Sequence, residues 1–401
     1  MNQAWVLVAL SAVVLVAYLF DFLGRWIKVP AVVLLLFSGL GLRALADALG
    51  WQIVLQTDLL PVLGTFGLIL IVLEGALDLR LTREAAPLIA RSALCALLGV
   101  LLTGAAITAG LLYWFDVSLQ AALVHALPLA VISSAVAIPA AAALSPRLRE
   151  FVVYESSVSD IVGVVLFYAL LNEFTGIGPM LIKLTGEITL SALVGLGVGL
   201  VIYLLIQRIE HHVRVLPMIF GITLLYGLGK ITHLAPLVMV LLVGLLLNNS
   251  QLLGKRLASG PAYEQDLDSF KHLTAEFTFV VRSFFFMLLG FGTAVADLLA
   301  PEAWLMAVLV IVCSIVPRWL LLRFVAGERA EPLLWFAPRG LITVLLFLGI
   351  PASLAIPGFP RAGLMLVILL WALLLTVGVM RTRKQPPPVE SEPTFDATPL
   401  N

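Results

Sequence analysis

Long apolar runs, most of them close to the roughly 20 residues that a helix needs to cross a bilayer, recur along almost the whole chain. They begin near residues 4, 29, 59, 87, 121, 151, 188, 215, 234, 274, 303, 333 and 361, and charges, prolines or glycines separate them. Inside lipid a backbone has no water to bond to, and a helix satisfies that demand within a single segment. Composition closes the argument: 61% hydrophobic residues, 12% charged residues and a mean hydropathy of +1.10 leave too little polar surface to coat a soluble particle. The fold class expected is therefore an all-α polytopic membrane protein with about 13 transmembrane helices. Met1 to Trp5 lacks the basic region of a signal peptide, so the first run is expected to be a retained helix.

Basic residues orient the chain. With the N-terminus outside, inner loops hold eighteen of the 24 lysines and arginines, and outer loops hold only Arg43, Lys183, Lys230 and Arg361. Arg282 and Arg339 fall near or within spans, and Arg318, counted as inner, directly precedes the apolar Trp319 to Leu322. The asymmetry places the C-terminus in the cytoplasm. The net charge is zero and no basic run is interleaved with aromatics, which excludes nucleic acid as an expected partner. Cys95 and Cys313, the only cysteines, both sit in apolar runs and suggest neither a disulfide framework nor a metal site. The membrane domain is expected over 1–380. Residues 381–401, with Pro386, Pro387, Pro388 and several acids, have the composition of a short disordered tail.

Two passages resemble each other across an odd number of spans. Gly67 to Asp78 is similar to Phe284 to Gly292, which continues to Asp297. Two spans later in each half come the most broken helical patterns: Pro128 to Pro139, enclosing Ser133 and Ser134, and Pro338-Arg339-Gly340, followed by Pro351. An offset of seven spans reverses membrane direction, so the halves, roughly 29–206 and 234–380, would form an inverted repeat. Many secondary transporters are built so, with the site between discontinuous helices.

Within this plan Asp160 stands out. It lies nine residues into the run Phe151 to Leu171, roughly 13 Å deep at the helical rise, and Tyr154-Glu155-Ser156-Ser157-Val158-Ser159-Asp160 surrounds it with polar groups. Buried intramembrane acids face a partner or an aqueous cavity and mark ion or proton pathways. Ser156, Ser157 and Gly163 share its helix face, whereas Glu155 points about 140° away, so the two acids are not a dyad. Carboxylate and hydroxyl oxygens suit a hard cation such as sodium, lithium or potassium.

The passage Glu155-Ser156-Ser157-Val158-Ser159-Asp160 resembles the Glu-Ser-Leu-Leu-Asn-Asp passage of the sodium/proton exchanger branch of the monovalent cation:proton antiporter superfamily. Leu73-Glu74-Gly75-Ala76-Leu77-Asp78, Arg282-Ser283-Phe284-Phe285-Phe286 and Pro338-Arg339-Gly340 match in the same order, so the resemblance covers nearly the whole chain. It implies a core domain moving against a dimerising scaffold, two interrupted crossing helices at the ion site, and a homodimer in a bacterial inner (plasma) membrane. It also implies that Asp160 binds a proton and a cation in turn, and that Arg318 pairs with Glu155. Two departures bear on the cation. The family's Asn is Ser159 here, and Ala135-Val136-Ala137 stands where the exchanger branch carries Thr-Asp-Pro, while Ser133 and Ser134 are closer to the potassium-efflux-like branch.

The remaining candidates divide by environment. Arg282 can pair with Asp160 when no cation is bound, with Glu276 if the helix is irregular, or serve packing alone. Arg339, between a proline and a glycine, is expected to bond backbone carbonyls freed by the broken helix. Glu74 lies where it can line a cytoplasmic funnel. His125 is expected to be a hydrogen-bonded buried histidine, and His211-His212 a solvated turn. No cofactor is expected. Competition for a single carboxylate predicts one-for-one, electroneutral exchange by alternating access. Two other transport classes stay open: a sodium-coupled symporter of an organic anion, which would need sodium shells rich in Asn, Gln and Glu, and a cation channel. An intramembrane enzyme is not expected, because Gly227-Leu228-Gly229-Lys230 carries Lys where the acid should be and the five histidines are too few and scattered for a di-iron site.

Overall fold

The structure, a computed structural model, describes residues 3–27, 31–50, 59–171, 176–208, 215–232, 234–253, 261–327 and 330–382. The expected tail from 383 onward and the His211-His212 turn lie outside the described residues. Every regular element described is helical: α1 (Gln3–Ile27), α2 (Ala31–Ala48), α3 (Leu59–Asp78), α4 (Ala86–Trp114), α5 (Leu119–Ala130), α6 (Ser134–Ala141), α7 (Pro146–Leu171) and α8 (Ile177–Arg208) in the first half. There follow α9 (Val215–Ile231), α10 (Pro236–Asn248), α11 (Pro261–Phe291), α12 (Val295–Leu298), α13 (Pro301–Leu321), α14 (Ala330–Leu334), α15 (Leu341–Leu348) and α16 (Arg361–Thr382). Eight described spans are long and apolar enough to cross a membrane, and shorter apolar helices accompany them.

The helices pack as two bundles. In one, α4 lies on α5, α7 and α13, α6 lies on α7, and α13 lies on α16. In the other, α2 packs on α11 and α1, α3 on α10 and α11, and α8 and α9 on α10. They meet where α3 and α10 pack on α7 and where α3 and α11 pack on α15. The first bundle repeats one plan twice, α4 with α5–α6 and α7, then α13 with α14–α15 and α16, and each middle span is interrupted.

The interruptions follow from sequence chemistry. Between α5 and α6 the chain is extended, with Val131 at φ −71°, ψ 135° and Ser133 at φ −79°, ψ 116°. Pro128 and Pro139 bracket this stretch and supply no N–H to a helical ladder. The second break, 335–340, contains Pro338. The two breaks touch: the Ser133 N–H donates to the Pro338 carbonyl at 2.9 Å. Gly340 permits the contact, since a Cβ there would lie 2.5 Å from Ser133 Oγ. Opposite, Gly163 of α7 leaves room for the Val131 side chain.

Side chains also fix α3, which carries Glu74. Its C-terminal carbonyls lack helical partners. The Asn248 and Asn249 amides donate to the Leu79 carbonyl at 2.9 and 2.8 Å, and Asn249 Oδ1 accepts from the Leu81 N–H at 2.6 Å. Tyr154 Oη of α7 donates to the Arg80 carbonyl at 2.7 Å, which ties this end to the helix of Asp160.

Close glycine packing joins α2 to α11, where a Cβ on Gly39 would run into the Met287 carbonyl, whereas Gly41 of the same helix has open space around it. Gly39→Leu is therefore expected to destabilise the protein by about 1–3 kcal/mol or more, the range for overpacking. Gly41→Leu is expected to be neutral. Thermal unfolding of the two variants in detergent checks the contrast.

Candidate functional site

The crossing of the two breaks encloses the polar face of α7. Ser156, Ser157, Ser159 and Asp160 are all buried there. Three successive backbone donors of the first break turn outward instead of into a helix: Ile132 N–H to Ser159 Oγ at 2.9 Å, Ser133 N–H to the Pro338 carbonyl at 2.9 Å, and Ser134 N–H to Asp160 Oδ2 at 3.0 Å. Asp160 thus sits at the N-terminus of α6, where unsatisfied N–H groups and the helix dipole favour negative charge.

The candidate hydroxyls separate by their bonding. Ser156 donates to the Val152 carbonyl of its own helix at 2.7 Å, and Ser159 holds the break in place as an acceptor. Ser134 contributes its backbone N–H to Asp160. Asp160 Oδ1, Ser133 Oγ and Ser157 Oγ, by contrast, are buried and have no hydrogen-bond partner among the described residues. Ser157 faces α3, where a Cβ on Gly75 would lie 3.8 Å from its Oγ. More than about 90% of buried polar groups are satisfied in folded proteins, so three such oxygens near one crossing are an unusual concentration.

Three arginines serve the carbonyls that the breaks expose. Arg318 grips Glu155 through two bonds, Nη1 to Oε1 at 2.9 Å and Nη2 to Oε2 at 3.1 Å, and also donates to the Leu333 carbonyl in the last turn of α14 and the Phe336 carbonyl after it. Arg339 donates to the Leu129 carbonyl at 2.6 Å, the Ala337 carbonyl at 2.9 Å and Ser314 Oγ at 2.8 Å, and its guanidinium lies 5.1 Å from the Trp371 ring centroid. Arg282 donates to the Ala135 carbonyl at 2.8 Å and rests over Phe279. The reason is local: the helical partner of that carbonyl would be the N–H of residue 139, which is proline. Glu74 lies within electrostatic reach of both Arg282 and Asp160.

The structure thus brings Asp160, Ser133, Ser134, Ser157 and Ser159 together at the crossing, with Glu74 and Arg282 beside them. It sets Glu155, Arg318 and Arg339 in a separate network behind it. Gly75, Ser314 and Trp371 escaped sequence reasoning, because nothing in a glycine, a helical serine or a tryptophan of an apolar run announces its neighbour. The Ala135 carbonyl was within reach of such reasoning, through its position four residues before Pro139. His125 is buried against Phe347 and Phe359, with Nδ1 2.9 Å from the Ala121 carbonyl. Among the described residues no group of three or more His, Cys, Asp or Glu side chains is placed to hold a resident metal. An oxygen-only cradle with one anchored carboxylate can take a hard cation or a proton in turn.

A family model for the transmembrane sodium/hydrogen exchanger matches residues 11–382. The fold is shared with the structure of the sodium proton antiporter MjNhaP1 from Methanocaldococcus jannaschii at pH 8. That chain is 20% identical, the TM-score is 0.73, and the match covers 96% of this chain and 100% of the other. A three-dimensional electron-microscopy map of MjNhaP1 gives a TM-score of 0.70 at 20% identity, over 95% and 96% of the two chains. No curated protein matches the sequence.

The network behind the site yields a stability test. Arg318→Met strands a buried carboxylate and removes the donor to two carbonyls, for an expected loss of about 3–5 kcal/mol. Glu155→Gln leaves Arg318 with its carbonyl partners, so the loss is expected to be smaller. Thermal unfolding of both variants and of the double variant, which should recover part of the Arg318→Met deficit, measures the difference.

Proposed function

This chain belongs to the sodium/hydrogen exchanger family, and on that footing we propose that it exchanges a monovalent cation for protons by alternating access. Sodium or lithium is the cation proposed, with potassium the third candidate. Asp160 is the carrier. One of its oxygens is anchored on the Ser134 N–H at the head of α6 and the other is buried without a partner, and this is the observation that carries the reading. A bound cation and a bound proton compete for the same carboxylate, so the site holds one or the other. Ser133 and Ser157 add oxygens, while Ser134, Ser156 and Ser159 hold the helices that frame them. Both departures of the sequence pattern fit this cradle: Ser159 replaces an amide with a hydroxyl that still ties down the break, and the break itself presents the Ser134 N–H to Asp160 without an acid of its own.

The bundle containing α4–α7 and α13–α16 carries the site, and its movement against the bundle containing α3, α10 and α11 would expose Asp160 to each side in turn. Two copies would associate through the second bundle as a homodimer in a bacterial inner membrane, with the N-terminus outside and the C-terminus cytoplasmic. Inverted repeats spanning about 29–206 and 234–380, within a membrane domain of 1–380, account for the two interrupted spans. Glu155, Arg318 and Arg339 keep the breaks in register. Glu74, with Arg282 beside it, lines the inner approach. Because Glu74 and Arg282 offset each other's charge, only Asp160 changes partner, and one cation is exchanged for one proton.

Dissipation of a pH gradient in proteoliposomes on adding sodium, lithium or potassium tests the reading. Wild type is expected to respond to at least one cation, and Asp160→Asn to fall to the level of protein-free liposomes. An unaffected Asp160→Asn would remove Asp160 from the mechanism. Clamping the membrane voltage with potassium and valinomycin tests stoichiometry: sodium-driven exchange is expected to keep its rate, and a rate that follows voltage would rule out one-for-one exchange.

A further inference from the structure

Seven buried side-chain polar atoms among the described residues lack a hydrogen-bond partner, and the fourth of them that belongs to the crossing, besides those of Asp160, Ser133 and Ser157, is Thr343 Oγ1. Thr343 is fully buried in the first turn of α15, outside every motif of the sequence. Buried helical hydroxyls such as those of Thr274, Thr278, Ser283 and Ser314 return to the carbonyl four residues earlier at 2.6–2.8 Å, while Thr108 of α4, away from the crossing, does not. Thr343 cannot follow them. Four residues earlier stands Arg339, still in the broken stretch, and Gly340 at φ −165°, ψ −138° turns the chain before the helix begins.

The level and face of Thr343 both lead to the site. α7 and α15 run in the same direction from the crossing: Gly340 meets Ser133 there, and at the far end a Cβ on Gly349 would lie 3.6 Å from the Phe167 ring. Thr343 is six residues before Gly349 and Asp160 seven before Phe167, which puts both roughly 10 Å below that contact. Phe347, one turn above Thr343 on the same face, sets its ring edge-on to His125 of α5 at 5.8 Å. The Thr343 face is therefore turned toward α5, at about the level of Asp160.

We propose that the Thr343 hydroxyl is a further ligand of the transported cation, supplied by the second interrupted helix. The inference rests on the exchange reading above. Its consequence is that both broken spans grip the ion, the first through Ser133 and the second through Thr343, so that their relative movement alters the cradle. A hydroxyl that contributes one neutral polar contact is worth about a fivefold change in affinity.

The test compares Thr343→Val, which keeps the shape and loses the oxygen, with Thr343→Ser, which keeps the oxygen. In the proteoliposome exchange, Thr343→Val is expected to raise the KM for the cation about fivefold with the maximal rate and the proton dependence retained, and Thr343→Ser to restore the KM. A Thr343→Val KM equal to wild type, or a loss of maximal rate alone, would overturn the inference and leave the exchange reading standing. Absence of cation-dependent exchange in wild type would overturn both. Should Thr343→Val reconstitute poorly, the cation-induced rise in melting temperature in detergent decides: a smaller rise than wild type supports the ligand role, and an equal rise overturns it.

Discussion

A helix broken in the middle of a bilayer exposes backbone donors and acceptors where no water can reach them, and the whole crossing is organised around satisfying those groups. The first break sends its N–H groups to Ser159, Pro338 and Asp160, and its carbonyls receive Arg339 and Arg282. The second break gives its carbonyls to Arg318 and Arg339. Buried guanidiniums with planar, many-donor geometry can serve several carbonyls at once, which a lysine cannot do as well. The Glu155 carboxylate then balances Arg318, leaving the cradle itself to a single acid.

The arrangement separates holding from binding. Arg318 bonds Glu155 and two carbonyls, Arg339 bonds two carbonyls and Ser314 and stacks on Trp371, and these contacts fix where the breaks lie. In front of them, Asp160 Oδ1 and the hydroxyls of Ser133, Ser157 and Thr343 are left without partners. Multiply bonded ion pairs hold their helices in place, whereas an unsatisfied cluster at their edge is costly until a guest fills it. The exchange chemistry proposed for this family member uses that contrast, since a proton and a cation each relieve the same deficit.

Particular residues show how far sequence reading reached. The membrane class, the helical fold and the position of both breaks were legible because lipid imposes length and proline removes donors, and both effects are local. The burial of Asp160 was legible because a carboxylate nine residues into an apolar run lies deep in the membrane. The joining of Glu155 to Arg318 came from family resemblance and not from spacing, since 163 residues separate the partners. Thr343, Gly75 and the Arg282 contact with Ala135 were not read, because a threonine in an apolar helix looks the same whether its hydroxyl returns to the backbone or faces a cavity.

The sequence by itself determined that this chain is helical, membrane-embedded and built with two interrupted spans and a carboxylate deep beside them, since those properties follow from hydropathy, proline chemistry and the cost of burying charge. Only the tertiary structure decided which oxygens remain unpartnered around that carboxylate and which arginine serves which carbonyl. Satisfaction of a buried polar group depends on atoms brought within about 3 Å from distant parts of the chain, and no local pattern encodes that meeting.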